Sequence, residues 1–226
     1  MVDLHGGPGN GLRWGRQPRF EEWCRRGYAA FAPDWRASGI LGIAEMMRTF
    51  LPDVEALDDC WRDIETGIDA LVDQGLADPT RLVLFGHSAG AAMVNQCVIS
   101  TGRFRAAVAW EGHADTELAY YLNWGGGGLA FLRDHLGGNP TEVPDRCRIQ
   151  SATPYADRVE TPILLLAGDH ATADPIKWYT LLREHGATCE PIVYRDEGHV
   201  MTRPANPKDV LERSAAWFNR WLVSVK

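Results

Sequence analysis

The chain has 226 residues, of which 45% are hydrophobic and nine are tryptophan, so it contains enough apolar material for one continuous core. Its formal net charge of -7 argues against nucleic acid and anionic membrane as partners, because both are bound by basic faces. We therefore expect a small neutral or cationic ligand.

The first half of the chain alternates between strand and helix signals. Residues 2–4 are a short apolar start before HGGPGNG, residues 18–26 are predicted to form a helix that ends at Gly27, and residues 28–33 (YAAFAP) are predicted as a buried strand. Residues 53–74 carry apolar side chains at alternating spacings of three and four, which is typical of one face of a long helix.

The second half continues this alternation after each turn signal. Strands are predicted over residues 81–86, 104–110, 161–168 and 189–195, and helices over residues 90–100, 175–186 and 207–223. Residues 112–160 break the pattern, since they are polar, aromatic and glycine-rich. We therefore predict one α/β domain over residues 1–226, with a mostly parallel sheet, helices on both faces and a cap-like insertion at about 112–160.

The five cysteines and the chain start carry no signal of export. The cysteines are odd in number and show neither a CxxC pair nor a metal-ligand spacing, so we predict reduced thiols and no metal site. No apolar run is long enough to span a membrane, and the first residues lack the regions of a signal peptide. The predicted location is the cytoplasm.

GHSAG at residues 86–90 is the first catalytic motif. It fits G-x-S-x-G, in which a strand turns sharply into a helix and glycines permit the tight backbone that exposes the serine hydroxyl. The strand RLVLF precedes it directly, and the small residues that follow allow the helix to begin close to the sheet. We predict Ser88 as the nucleophile.

Two further motifs lie before and after GHSAG in the sequence. HGGPG at residues 5–9 follows a strand, and its glycines allow backbone N–H groups to point at an oxyanion, although a plain turn is an equally good interpretation. We assign the two oxyanion donors to Gly7 and Ala89. DEGH at residues 196–199 follows the last strand, and the order of oxyanion loop, serine, acid and histidine predicts His199 as the base.

With these segments the chain resembles the catalytic domain of the prolyl oligopeptidase family, particularly its acylaminoacyl-peptidase and dipeptidyl-peptidase-like branches. The segments that carry the resemblance are LHGGPG, GYAAFAPDWRASG, DPTRLVLFGHSAG, TPILLLAG and DEGH. The resemblance implies an α/β-hydrolase fold and a serine hydrolase or peptidase without metal or organic cofactor. In that family Ser88 would attack the carbonyl and His199 would transfer the proton, while Gly7 and Ala89 would bind the oxyanion.

The sequence departs from the family at three places, of which Ala37 in place of the usual glycine is minor. Most members have an N-terminal β-propeller and two more strands ahead of the HGGP strand, which this sequence does not contain. The family pattern G-x-x-D-x-x-V-P also loses its acid here, because Gly168 and Pro175 keep the spacing and Ala171 stands at the acid position. The chain could then be a weak hydrolase, or a ligand-binding or assembly protein on a hydrolase scaffold.

Three acids are candidates for the third catalytic residue, and a Ser88–His199 dyad without an acid is the remaining alternative. Asp169 lies nearest the end of its strand, and we favour it. Asp174 stands at the start of the next helix, where a capping role is more typical. Glu111 comes just past the strand that ends at Trp110, from which an acid could reach the imidazole of His199.

The expected substrate is an acyl ester, a short peptide or an acyl-amino-acid amide. Aromatic residues of the insertion are candidates for its pocket, with packing of the insertion onto the core as the alternative; they are Tyr120, Tyr121, Trp124 and Phe131. No nucleic acid or membrane partner is expected. If residues 28–33 form an exposed edge strand, a second copy of the chain would cover it, so a homo-oligomer is a further expectation.

Overall fold

A five-stranded, all-parallel sheet forms the centre of the molecule, with its strands side by side in chain order. The structure is a computed structural model that describes residues 1–7, 10–11, 17–36, 38–39, 56–122 and 129–222. The strands are β1 (Val2–Leu4), β2 (Val83–His87), β3 (Ala106–Trp110), β4 (Ile163–Gly168) and β5 (Cys189–Tyr194). The predicted parallel sheet is confirmed.

Eight helices are found in the described part of the chain. They are α1 (Pro18–Arg25), α2 (Ala56–Asp73), α3 (Ala89–Ser100), α4 (Thr116–Tyr121), α5 (Leu129–Leu136), α6 (Pro144–Ile149), α7 (Ala173–Glu184) and α8 (Ala205–Leu222). Helix α1 begins with a proline and is followed by Gly27 at φ 87°, a left-handed conformation that ends helices. None of these helices combines the length and apolarity needed to cross a bilayer.

Side chains that alternate along the strands form two apolar layers. Leu84 and Leu165 face one layer, while their neighbours Phe85 and Leu166 face the other. The first layer is closed by α2, α3 and α7, through Ile64, Ile68, Val94, Trp178 and Leu182. The second layer is closed by α1 and α8, through Trp23, Trp217 and Phe218. The sheet therefore has helices on both faces, as predicted.

Residues 28–33 form less structure than predicted. Phe31 makes one isolated parallel bridge to Val2 at the outer edge of β1. In this bridge Asp3 N–H donates to the Phe31 carbonyl at 2.8 Å, and Phe31 N–H donates to the Met1 carbonyl at 2.9 Å. The prediction of a full strand was wrong, because β1 has three residues and offers its neighbour only a short partner.

Residues 112–160, the insertion, connect β3 to β4. The insertion contains α4, α5, α6 and a 3-10 turn at Thr153–Arg158. Three of its buried side chains form a small cluster of their own, the insertion cluster, made of Tyr120, Leu136 and Cys147. Its base is closed by the Ala152 N–H, which donates to the Ala114 carbonyl at 2.7 Å.

Candidate active site

The predicted catalytic segments follow the carboxyl ends of the strands. Residues 5–7 follow β1, Ser88 follows β2, Glu111 follows β3 and Asp169 follows β4, while His199 lies in the loop between β5 and α8. Because the sheet is parallel, these ends meet at one edge, where ligands of open α/β sheets bind. The fold thus gathers the candidate residues at a single edge.

Ser88 stands in a strained turn between β2 and α3. Its φ of 60° and ψ of -124° lie in a region that residues other than glycine rarely adopt. Two close backbone approaches hold the turn: a Cβ on Gly86 would overlap the Gly90 carbonyl, and a Cβ on Gly90 would overlap the Leu4 carbonyl. The glycines of G-x-S-x-G are therefore required by contact of α3 with β1 and β2.

The hydroxyl of Ser88 contacts the imidazole of His199. Ser88 Oγ lies 2.9 Å from His199 Nε2, within hydrogen-bond distance. For the hydroxyl to donate, Nε2 must be unprotonated, which places the ring proton of a neutral imidazole on Nδ1. A general base needs this arrangement to remove the serine proton.

Glu111 lies on the other side of the same imidazole. Its Oε2 is 3.6 Å from His199 Nδ1, and its side chain is fully buried. Its Oε1 accepts the backbone N–H of Gly168. Among the described residues Oε2 accepts no hydrogen bond, and His199 Nδ1 lies beside it. Catalytic contacts are often this long without substrate and shorten when it binds.

Backbone hydrogen bonds tie the acid and the nucleophile to each other. Glu111 has a left-handed φ of 55°, and its N–H donates to the Leu166 carbonyl at 2.8 Å. The preceding residue, Trp110, accepts the N–H of Ser88 at 2.9 Å. Ser88 and Glu111 are thus set by bonds that β3 makes with its two neighbouring strands.

Asp169, favoured from the sequence, makes different contacts. Its Oδ2 accepts the Asp196 N–H at 2.9 Å, and its Oδ1 lies 3.6 Å from His170 Nε2. The hydrogen bond from the Asp196 N–H is the main reason that the pKa of this carboxyl is lowered. Ala171 follows in a 3-10 turn. Asp169 therefore contacts the histidine loop, whereas Glu111 lies beside the imidazole of His199.

Asp174, the second candidate, joins the insertion to α7. Its buried carboxylate accepts the N–H groups of Ala114 at 2.7 Å and Asp115 at 3.0 Å. Burial is the main cause that raises its pKa to about 6. The expected capping role is not seen either, because the N-cap residue of α7 is Thr172.

The sequence analysis missed His87, the residue before the nucleophile. Its ring stacks against His199 with centroids 5.6 Å apart and an angle of 17° between planes, and it lies 4.2 Å from the Trp110 ring. Burial lowers the pKa of His87 to about 4, so the ring is neutral at neutral pH. The signal was its place inside G-x-S-x-G, which brings its side chain near any histidine that reaches Ser88.

Glu197 was also missed, although it lies within DEGH. Its buried carboxylate accepts the N–H groups of Thr202 at 2.7 Å and Arg203 at 3.0 Å, and it accepts the side-chain amide of Asn206. The bond from the Thr202 N–H is the largest of the causes that hold its pKa at about 2. As an ionised carboxylate, Glu197 therefore holds the loop around His199 in place.

The two predicted oxyanion donors lie next to the serine. Ala89 is the first residue of α3, and the first N–H groups of a helix have no acceptor within it. Gly6 packs against Ser88, because a Cβ on this glycine would lie 3.2 Å from Ser88 Cβ. Gly7 is the next residue, so its N–H belongs to a peptide unit beside the nucleophile.

The aromatic residues of the insertion are placed unevenly. Tyr120 is buried in the insertion cluster, whereas Tyr121 is 56% exposed and meets Tyr120 edge to face with ring centroids 5.5 Å apart. Trp124 lies outside the described residues, and so does the side chain of Phe131. Burial of Tyr120 agrees with a packing role, and the pocket remains a prediction.

Thiols and acidic residues form no metal cluster in the described ranges. No group of three or more His, Cys, Asp or Glu side chains there is arranged to hold a metal ion. The five cysteines form no disulfide, and Cys24 is the exposed member.

Comparisons with known proteins agree on one family. The sequence model of the prolyl oligopeptidase family matches residues 14–224. The chain is 32% identical over 163 residues to the lasso peptide isopeptidase AtxE2 of Asticcacaulis excentricus, covering 71% of this chain and 23% of that protein. It is 24% identical over 238 residues to the acylamino-acid-releasing enzyme of Arabidopsis thaliana, covering 96% of this chain and 30% of that protein.

The solved acylaminoacyl peptidase of Pyrococcus horikoshii superposes with a TM-score of 0.88 at 22% identity, covering 100% of this chain and 37% of that one. This likeness confirms the predicted α/β-hydrolase fold. The chain spans about a quarter to a third of the length of the curated relatives it matches.

Proposed function

This chain belongs to the prolyl oligopeptidase family, and from that membership we propose that it is a serine hydrolase that acts through an acyl-Ser88 intermediate. The observation that carries the proposal is the line of contacts from Ser88 Oγ to His199 Nε2, at 2.9 Å, and from His199 Nδ1 to Glu111 Oε2, at 3.6 Å. Its proposed substrates are short peptides, acyl-amino-acid amides and acyl esters. Relatives named as an isopeptidase and an acylamino-acid-releasing enzyme support the amides.

The proposed reaction has two halves. Ser88 Oγ attacks the carbonyl carbon while its proton moves to His199 Nε2, and the N–H groups of Gly7 and Ala89 bind the oxyanion. The imidazolium then gives its proton to the leaving amine or alcohol, which departs and leaves the acyl-Ser88 ester. Water attacks this ester with His199 again as the base, which releases the acid and restores Ser88.

Glu111 is the acid in this proposal, in place of Asp169. A buried carboxylate beside Nδ1 stabilises the imidazolium that forms when His199 takes the serine proton. It also selects the tautomer that leaves Nε2 free to accept that proton. The alternative of an impaired, ligand-binding protein was motivated in part by Ala171, and a carboxylate beside His199 at the end of β3 supports the hydrolase over that alternative.

Matched amide and ester substrates test the proposal. We expect the chain to hydrolyse acyl-amino-acid p-nitroanilides and the corresponding p-nitrophenyl esters. Ser88→Ala should lower turnover by at least about 10³-fold, because the acyl-enzyme cannot form. Equal hydrolysis by Ser88→Ala, or no hydrolysis of any amide or ester by the folded wild-type chain, would contradict it.

A further inference from the structure

His87, the residue before the nucleophile, joins the proposed catalytic base to the interior of the protein. It is the last residue of β2, and in the register of the sheet it stands opposite Trp110, the last residue of β3. Its ring has two aromatic neighbours, with the Trp110 ring centroid 4.2 Å away and the His199 ring centroid 5.6 Å away. The reaction above uses His199 but assigns no task to His87.

Trp110 fixes the place of the His87 ring. The Trp110 side chain packs against the second apolar layer, where its ring centroid lies 6.4 Å from that of Phe85. Its carbonyl oxygen accepts the Ser88 N–H at 2.9 Å, so the backbone of the same residue is also held. Side chains packed in a core keep well-defined rotamers. His87 therefore rests on a ring that the core itself holds in position.

The His87 ring presents its face to His199. The two ring planes are 17° apart, so the rings lie nearly parallel. Within the described part of the chain, the buried Nε2 of His87 has no hydrogen-bond partner. Burial is the main cause that lowers the pKa of His87 to about 4, and the nearby positive charge of Arg19 acts in the same direction. At neutral pH the ring beside His199 is therefore an uncharged aromatic ring.

An uncharged ring at this position suits the change of charge at His199. When His199 takes the Ser88 proton, its imidazole becomes a cation. The face of an aromatic ring attracts a cation within about 6 Å of its centroid, whereas a charged neighbour would repel it. The attraction is thus stronger once the imidazolium forms than in the resting enzyme, which is the condition for raising kcat.

We propose that His87 is a positioning residue, whose ring supports one face of the His199 imidazole and stabilises the imidazolium that forms when Ser88 loses its proton. The inference rests on the proposed function, since it assigns a task within the acyl transfer of that same site. Its consequence is a kcat that depends on an aromatic ring at position 87, while KM changes little.

Two apolar variants separate this role from packing and from hydrogen bonding. His87→Phe keeps an aromatic face and His87→Leu does not, while neither can form a hydrogen bond through its side chain. We expect His87→Leu to lower kcat about 10-fold and His87→Phe to retain it within about threefold, with KM of both within about threefold. Leucine is nearer in size to histidine, so packing alone would favour His87→Leu, the opposite order.

The readouts are steady-state kinetics, the rate of Ser88 labelling by a fluorophosphonate, and thermal unfolding of each variant. Equal kcat for His87→Phe and His87→Leu, a lower kcat for His87→Phe, or a loss confined to KM would overturn the inference. Wild-type protein that hydrolyses no substrate and is not labelled overturns the proposed function, and the inference with it. Labelled wild-type protein with two equivalent variants overturns the inference alone.

A spectroscopic measurement on wild-type protein is independent of activity and of variant folding. The ¹⁵N shifts of the His87 imidazole report whether the ring is charged. We expect an uncharged ring at about pH 6 and above, because the pKa of His87 is lowered to about 4. A charged His87 ring at about pH 6 would repel the imidazolium of His199 and overturn the inference.

Discussion

Glu111 is the residue on which catalytic competence depends in this account. Glu111→Gln keeps an oxygen that can accept the Gly168 N–H but removes the charge beside His199. We expect kcat to fall on the order of 10⁴-fold, as in triads that lose the acid, with a small change in thermal stability. Steady-state kinetics and thermal unfolding of the purified variant measure both.

Asp169→Asn is the matched control for this change. It also exchanges a carboxylate for an amide, and it retains an acceptor for the Asp196 N–H. We expect less than about a tenfold loss in kcat, because the carboxylate does not face His199. A loss for Asp169→Asn that equals or exceeds that of Glu111→Gln would return the acid to its first assignment.

At the residue scale, motif context predicted Ser88 and His199, which lie in contact, but among the acids it did not point to Glu111 first. The family register pointed to Ala171, and Asp169 was its nearest neighbour in sequence. The contact of Glu111 with His199 depends on the alignment of β3 with β4 and on the left-handed backbone of Glu111. Neither the strand alignment nor this backbone conformation can be predicted from the residues that flank Glu111 in the sequence.

At the scale of elements, the junction of β2 and α3 is the most constrained part of the site. A Cβ on Gly90 would overlap the Leu4 carbonyl, so Gly90→Ala must push α3 away from β1. We expect a loss of about 1–3 kcal/mol in the free energy of unfolding, together with much slower labelling of Ser88. Denaturant unfolding and labelling kinetics measure the two effects.

Gly102→Ala tests whether any glycine substitution gives this result. The nearest group to a Cβ at Gly102 is Glu160 Oε2 at 3.6 Å, which is ordinary contact. We expect stability and labelling close to wild type. If Gly90→Ala behaved like Gly102→Ala, close packing of α3 against β1 would not be what holds the turn at Ser88.

Apolar spacing predicted the helices and the interior strands, but it did not predict the structure at the edge of the sheet. Residues 28–33 are apolar enough for a strand, yet pairing also needs a partner, and β1 offers three residues. The length of an edge strand depends on the strand beside it, which here is β1. The local pattern of residues 28–33 contains no information about the length of β1.

At the scale of the whole molecule, Asp174 links the insertion to the core. Its pKa is raised to about 6 from 3.8, mainly by burial, so between these values the folded state binds more protons than the unfolded state. Its contribution to stability is therefore full below about pH 4 and is lost as pH rises through about 6. The free energy of unfolding, measured from pH 4 to 7, should show this slope.

Asp174→Asn should remove that slope. The variant should also be less stable at every pH, since an amide cannot accept both the Ala114 and the Asp115 N–H groups. The difference in unfolding free energy between wild type and variant should therefore shrink as pH rises from 4 to 7. A difference that stays constant or grows would contradict a raised pKa of Asp174 in the folded chain.

The layered architecture was predictable because strands and helices alternate over most of the chain. The organisation of the insertion was not, since its short helices lack long apolar faces and are held in part by the insertion cluster and by Asp174. Contacts of this kind join residues that are distant in sequence, so local patterns do not reveal them.

The central claim is an activated Ser88 supported by His199 and Glu111, and reaction with a fluorophosphonate tests it most directly. Intact mass should show one rapid adduct on wild-type protein, no adduct on Ser88→Ala, and labelling of Glu111→Gln slowed by at least about 10²-fold. The reaction needs an activated serine and an oxyanion site but no knowledge of the substrate. Absence of an adduct on folded wild-type protein, or an adduct that persists in Ser88→Ala, would contradict the account.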